Sequence, residues 1–189
     1  MLDKNEFAQM RSEIASRDET RESIIALSRD IITLSKQTIY ATLRKDIPTA
    51  EAKLAEMRKG IANLKKFNIS LDTNISQTAF QEYVEAAAIL HFAKHENLIT
   101  RKELDVDSES YLLGVCDLSG ELVRKAVDDA INQNFDSVLK IKEMVALIYG
   151  EFLQFNLRNG DLRKKSDQIK WSLQKLEDMI FDLKVKGRA

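Results

Sequence analysis

Two stretches of this chain place carboxylates among apolar neighbours. The first reads Phe80-Gln-Glu82-Tyr-Val-Glu85-Ala-Ala-Ala-Ile-Leu-His91-Phe92 and is almost entirely apolar after Glu85. Glu82 and Glu85 are three apart, so on a helix they project from one face. The second reads Tyr111-Leu-Leu-Gly114-Val-Cys116-Asp117-Leu-Ser-Gly120-Glu121-Leu-Val-Arg124, with Asp117 and Glu121 four apart, again on one face. A buried ionised carboxylate costs several kcal/mol unless arginine, a proton or a cation answers it. Two helices that each offer two acids would make an all-oxygen cage, which hard divalent cations such as magnesium or manganese prefer and zinc or copper do not. Gly114 and Gly120 each cost about 1 kcal/mol inside a helix. They point to close helix approach, or to room for a bulky ligand, beside the acids. The same spacings also suit solvated faces, with Glu121 paired to Lys125 one turn on and Glu82 turned to water. Spacing leaves both readings open.

Other chemistry is sparser. His91 and His95 are four apart, but no His-Glu-x-x-His motif surrounds them and no glutamate has the Glu-x-x-His spacing of a di-iron site. One histidine lining a pocket and one exposed is the expectation. Cys116 reads as a small core residue rather than a nucleophile. No glycine-rich phosphate loop, nucleophile elbow or Ser/His/Asp order is present. Positive charge is local: Arg29, Lys36 and Arg44 share a face of the first helix, Arg58, Lys59, Lys65 and Lys66 cluster on the second, and Arg163, Lys164 and Lys165 open the last. Arg124 and Lys125 follow Glu121. Such clusters are commonly plain soluble faces, yet a cationic stripe beside an acidic pocket suits a phosphodiester backbone threaded past a metal. On that reading Arg29, Lys36, Arg124 and Lys125 are the candidate backbone contacts. Tyr40, Tyr83 and Phe92 either stack unpaired bases or pack in the core.

The elements that must position these residues follow from composition and pattern. The 189 residues are 44% apolar, and 29 basic residues nearly cancel 30 acidic ones, so no global field steers the chain to nucleic acid or an anionic membrane. One proline and six glycines exclude a turn-rich β-sandwich and a disordered linker protein. A single cysteine excludes an internal disulfide framework and fits a reducing, cytoplasmic setting. No apolar run approaches the ~18 residues of a membrane span, and no secretory signal is visible. Residues 1–189 read as one all-α domain, a bundle of about six or seven helices. Asp3 to Leu43 predicts a first helix, either broken near Ser16–Thr20 or with its first third reaching towards a partner. Pro48 opens a second, Thr49 to Phe67. After a polar connector at 68–73, Asn74 with Gln77 resembles a capping box for a third helix to about Asn97. Thr100 with Glu103 repeats that signal for a short turn, Lys102 to Leu104. Helices over Ser110–Asn132, Phe135–Asn156 and Asp161–Val185 follow. Asn159-Gly160 precedes the last, whose Leu162, Ile169, Leu173, Leu176, Ile180 and Leu183 make a coiled-coil-like seam.

Leu27-Ser-Arg-Asp-Ile-Ile-Thr-Leu-Ser-Lys-Gln-Thr-Ile39, Gln81-Glu-Tyr-Val-Glu-Ala86, Tyr111-Leu-Leu-Gly-Val-Cys-Asp-Leu-Ser-Gly-Glu-Leu122 and Leu173-Gln-Lys-Leu-Glu-Asp-Met-Ile-Phe-Asp-Leu-Lys-Val-Lys-Gly187 together resemble the translin family, most of all its Trax (translin-associated factor X) branch. The resemblance covers nearly the whole chain, and its two acid-bearing motifs are specific. It implies an all-α fold of about seven helices, an octameric shell around a cavity, and magnesium-dependent endonucleolytic cleavage of single-stranded RNA by Trax-type subunits. It places that branch's catalytic acids on Glu82, Glu85 and Asp117, with Glu121 as a fourth acidic position. Translin itself lacks the glutamate pair and binds without cleaving, so this chain resembles the catalytic type, with a non-catalytic single-strand-binding protein as the alternative. The short connector at 105–109 departs from animal Trax. Asn74-Ile-Ser-Gln-Thr-Ala79 replaces translin's basic, histidine-rich stretch, so translin's nucleic-acid contacts do not carry over. The compact chain is similar to archaeal members, which implies a homo-oligomer without a separate translin-type partner.

Overall fold

Asp3 begins the first helix: its carboxylate accepts from the backbone N–H of Asn5 and Glu6 at 2.9 and 3.2 Å, satisfying donors that a helix start leaves open. From there α1 (Lys4–Leu43) continues unbroken for 40 residues. The computed structural model describes residues 2–67, 74–158, 160–185 and 187. After α1 come α2 (Ile47–Leu64), α3 (Ile75–His95), α4 (Arg101–Leu104), α5 (Ser108–Ile131), α6 (Phe135–Phe152) and α7 (Asp161–Val185), with no strand among the described residues. The expected break near Ser16–Thr20 is absent. Leu2 through Glu19 are exposed, and the first buried α1 residue is Ile24, so the first third of α1 stands off the core.

Local chemistry sets most of the other boundaries. Asp46 accepts from the Thr49 N–H at 3.3 Å and Pro48 sits in the first turn, so α2 starts two residues before the expected Thr49. Thr100 and Glu103 form the expected capping box of α4. Asp107 accepts from the Ser110 N–H at 2.9 Å, which starts α5 two residues early. α3 stops at His95 rather than Asn97 because Glu96 takes a left-handed conformation, φ 57°. The capping box expected at Asn74 is not formed. Asn74 is itself left-handed, φ 70°, and its side chain makes no cap hydrogen bond, since a capping side chain needs extended backbone to reach the next turn. α6 ends at Phe152, short of the expected Asn156. The polar connector at 68–73 and Asn159 of the expected Asn159-Gly160 break lie outside the described residues.

α3 and α5 form the middle of the bundle. α1 packs on α2 and α3, α3 on α5, and α5 on both α6 and α7. The buried apolar residues apart from Leu113 form one cluster, and α3 is buried around its whole circumference from Tyr83 to Leu90. Fully buried Ile24, Ile31, Leu118 and Leu122 each contribute about 1.5–3 kcal/mol relative to exposure. Tyr83 and Phe92 belong to this core and offer no stacking surface, whereas Tyr40 is exposed beneath the Arg44 guanidinium. No helix among the described residues is long and apolar enough to cross a membrane.

Candidate metal centre

Gly114 lets α5 lie against α3. A β-carbon there would fall 2.6 Å from Val84 Cβ and 2.7 Å from the Gln81 carbonyl oxygen, closer than any side chain allows. Gly120 has open space around it and plays no such part. One turn after Gly114, Asp117 faces α3 and accepts a short hydrogen bond from Gln81 Nε2. Lys165 of α7 closes on the same carboxylate from the other side, its Nζ 2.8 and 2.7 Å from the two oxygens. From α1, the Ser35 hydroxyl stands 3.0 Å from both the Glu82 carbonyl oxygen and Glu82 Oε2. Arg124 holds Glu121 at 2.9 and 2.8 Å.

Glu85 sits among these groups without a partner among the described residues. It is 8% exposed, and no side chain among the described residues hydrogen-bonds or ion-pairs with its carboxyl. Burial pushes its pKa up to about 8, and the negative charges of Asp117, Glu82 and Glu121 push in the same direction against Lys165. The structure therefore brings Glu82, Glu85, Asp117 and Glu121 into one electrostatic neighbourhood, although they come from two helices. It does not close them into a finished cage: among the described residues no three His, Cys, Asp or Glu side chains stand close enough to hold one ion. Three of the four carboxylates already have partners: Ser35 for Glu82, Lys165 with Gln81 for Asp117, and Arg124 for Glu121. In kind and number the oxygens fit a hard divalent cation, and the dehydrated, unpartnered Glu85 is the group that such a charge would relieve.

The cationic candidates divide. Arg29 and Lys36 are exposed and carry no ion pair among the described residues. Arg124 is exposed beyond its bond to Glu121. Lys125 is not available: its Nζ lies 2.6 Å from Asp129, whose side chain is 1% exposed, so it neutralises a buried charge and does not pair with Glu121. Sequence reading missed Ser35 and Gln81, and it placed Lys165 in a cationic cluster without seeing Asp117 as its partner. Lys165 was visible in the α7 seam, three after Leu162 and four before Ile169, where an apolar residue belongs. Ser35 interrupts the α1 stripe in the same way, four after Ile31. Elsewhere, Cys116 is buried, and burial followed by the charge of Asp117 pushes its thiol up to about 12, which makes it inert. His91 is half-buried and His95 exposed, with ring centroids 4.6 Å apart and both lining one pocket.

The family model described as Translin family matches residues 19–187. The chain is similar to Translin-associated protein X of Mus musculus, 27% identical over 226 residues that cover 96% of this chain and 78% of that one. Its fold is similar to the crystal structure of apo-NeC3PO, with a TM-score of 0.86 and 29% identity over 96% of this chain and 97% of that chain. It also resembles a structure of AfC3PO in complex with duplex RNA, with a TM-score of 0.81 and 20% identity over 96% and 97% of the two chains, a likeness of fold.

Proposed function

The chain belongs to the translin family, and from that premise we propose that it is a magnesium-dependent endoribonuclease that cleaves single-stranded RNA within an oligomeric shell. The observation that carries this reading is Glu85, dehydrated and unpartnered, with three more carboxylates acting on it. Glu82, Glu85, Asp117 and Glu121 would hold the ion, magnesium or in its place manganese. The resemblance puts the glutamate pair and the later aspartate of the Trax branch on these acids, and the chain is similar to a Trax protein over most of its length. The RNA substrate is part of the proposal, supported by the fold shared with a protein solved on duplex RNA.

A bound divalent ion supplies Lewis acidity towards a phosphate oxygen and an acidified water. The remaining work falls to this chain's own residues. Ser35 holds Glu82, and Gln81 holds Asp117, so two of the four carboxylates keep their orientation on rigid helices. Lys165 neutralises Asp117, and with an ion in that role its ammonium would turn towards substrate phosphate. Arg124, Arg29 and Lys36 supply exposed positive charge for the backbone. We read residues 1–189 as one domain that assembles with copies of itself, as an octamer in the family pattern, in the cytoplasm. A binding protein without cleavage is the second reading, favoured by the ion pairs that occupy Asp117 and Glu121.

One incubation separates the two. A labelled single-stranded RNA is mixed with purified protein in magnesium or in EDTA. Products in magnesium alone support the nuclease, whereas salt-sensitive retention with no products in either condition supports binding alone.

A further inference from the structure

The face of α3 opposite the acid pair carries a second constellation. His91 lies nine residues after Glu82, two and a half helical turns, and so points away from the carboxylate centre towards α2. There a cavity of about 310 Å3 opens between α2 and α3, at the small end of ligand-sized sites. Its polar lining is Arg58 and Glu51 from α2 and His91, Lys94 and His95 from α3, over an apolar floor that includes Leu54 and Leu90. Lys94 ion-pairs with Glu51 within this lining. Arg58 makes no ion pair among the described residues.

We propose that this cavity binds a phosphate group, held by Arg58, Lys94, His91 and His95. The planar guanidinium of Arg58 offers a fork that matches two phosphate oxygens. With both imidazoles neutral the lining carries one excess positive charge, and with both protonated it carries three. His91 Nε2 lies 2.7 Å from Asn97 Oδ1, which ties the ring to the connector after α3. The groups that face the imidazoles are Glu51 and Arg58 from α2, Lys94 on α3, Asn97 in the connector, and Glu103 of α4, whose carboxylate lies within electrostatic reach of His91. The two glutamates moderate the pocket and do not outnumber its cations. Each proton that the imidazoles gain therefore strengthens binding of an anion. The ligand is a free phosphate or the terminal phosphate of a nucleic acid strand, and the test distinguishes them.

The probes are sulfate, a dianion whose charge does not change over the pH range used, inorganic phosphate, and a short RNA with or without a 5′-phosphate. All are titrated calorimetrically into the full-length protein. Sulfate affinity is expected to rise about tenfold from pH 8 to pH 5.5, the worth of one charge-assisted hydrogen bond. Arg58→Ala, an exposed substitution that leaves the fold intact by circular dichroism, is expected to weaken sulfate and phosphate at least tenfold. His91→Gln with His95→Gln flattens the pH dependence. Glu85→Gln leaves all of this unchanged, so failure here and failure of the nuclease reading are separate results. An Arg58-dependent advantage of the 5′-phosphorylated RNA over its 5′-hydroxyl form assigns the site to strand ends, and binding of inorganic phosphate without that advantage assigns it to free phosphate. No sulfate binding at pH 5.5, or binding indifferent to Arg58→Ala, overturns the proposal.

Discussion

Glu85→Gln isolates the electrostatics of the carboxylate centre. Burial, helped by three neighbouring carboxylates, pushes the Glu85 carboxyl up to about 8, against 4.5 for an unperturbed glutamate. Between those values the folded protein keeps a proton that the unfolded chain has lost, so stability falls as pH rises, and the full loss is reached above pH 8. At about 1.36 kcal/mol for each pH unit, the window is worth about 5 kcal/mol without a bound metal. Glutamine fills the same volume, carries no charge and cannot titrate. The assay is urea unfolding of wild type and variant in EDTA from pH 5 to pH 8.5. The two are expected to match near pH 5 and to diverge steadily, with the variant several kcal/mol more stable at pH 8.5. Acids held low in this protein do not confuse the comparison. Glu103 is lowered by its hydrogen bonds from Thr100, Asp105 by the hydrogen bond and charge of Lys65, and Asp107 by bonds from Ser110 that outweigh its desolvation. Their stabilisation is lost only as pH falls below the ordinary carboxylate range, and it is common to both proteins. Parallel pH profiles for wild type and variant would refute the claim that Glu85 is a desolvated carboxyl among like charges.

Three further outcomes are expected. Gly114→Ala forces α5 off Val84 and costs about 1–3 kcal/mol, whereas Gly120→Ala, with open space around it, adds up to about 1 kcal/mol; thermal melts of the pair read both signs. Asp129→Ala removes the buried partner of Lys125 and Ser137 and is expected to lower unfolding free energy by about 3 kcal/mol in the same urea assay. Lys165→Met removes the cation that competes for Asp117, and calorimetry of manganese binding is expected to show affinity raised about tenfold, with metal-free stability reduced.

Helix order and the acid pairs were legible in the sequence because both rest on short-range periodicity. The spacing of Glu82 with Glu85 and of Asp117 with Glu121 fixes a face for each pair, and Gly114 marked the place where the two faces meet. Capping at Thr100 was readable for the same reason, since its partner is three residues away. Asn74 was misread because a cap depends on backbone conformation as well as residue type, and its left-handed φ defeats the side chain. The partners of the acids were not readable from spacing alone. Ser35 meets Glu82 across 47 positions and Lys165 meets Asp117 across 48, distances over which only packing decides contact. Lys125 shows the converse: its expected partner Glu121 was local, but the buried Asp129, equally local and on the other side, holds it more strongly.

The central claim is that four carboxylates from α3 and α5 bind one divalent-ion centre, and equilibrium binding of manganese, followed by electron paramagnetic resonance, tests it most directly. Wild-type protein at pH 7.5 is expected to take up manganese saturably and to release it to magnesium. Glu85→Gln and Asp117→Asn are each expected to weaken uptake by at least tenfold while circular dichroism stays unchanged. Variants that bind manganese as tightly as wild type would contradict the account.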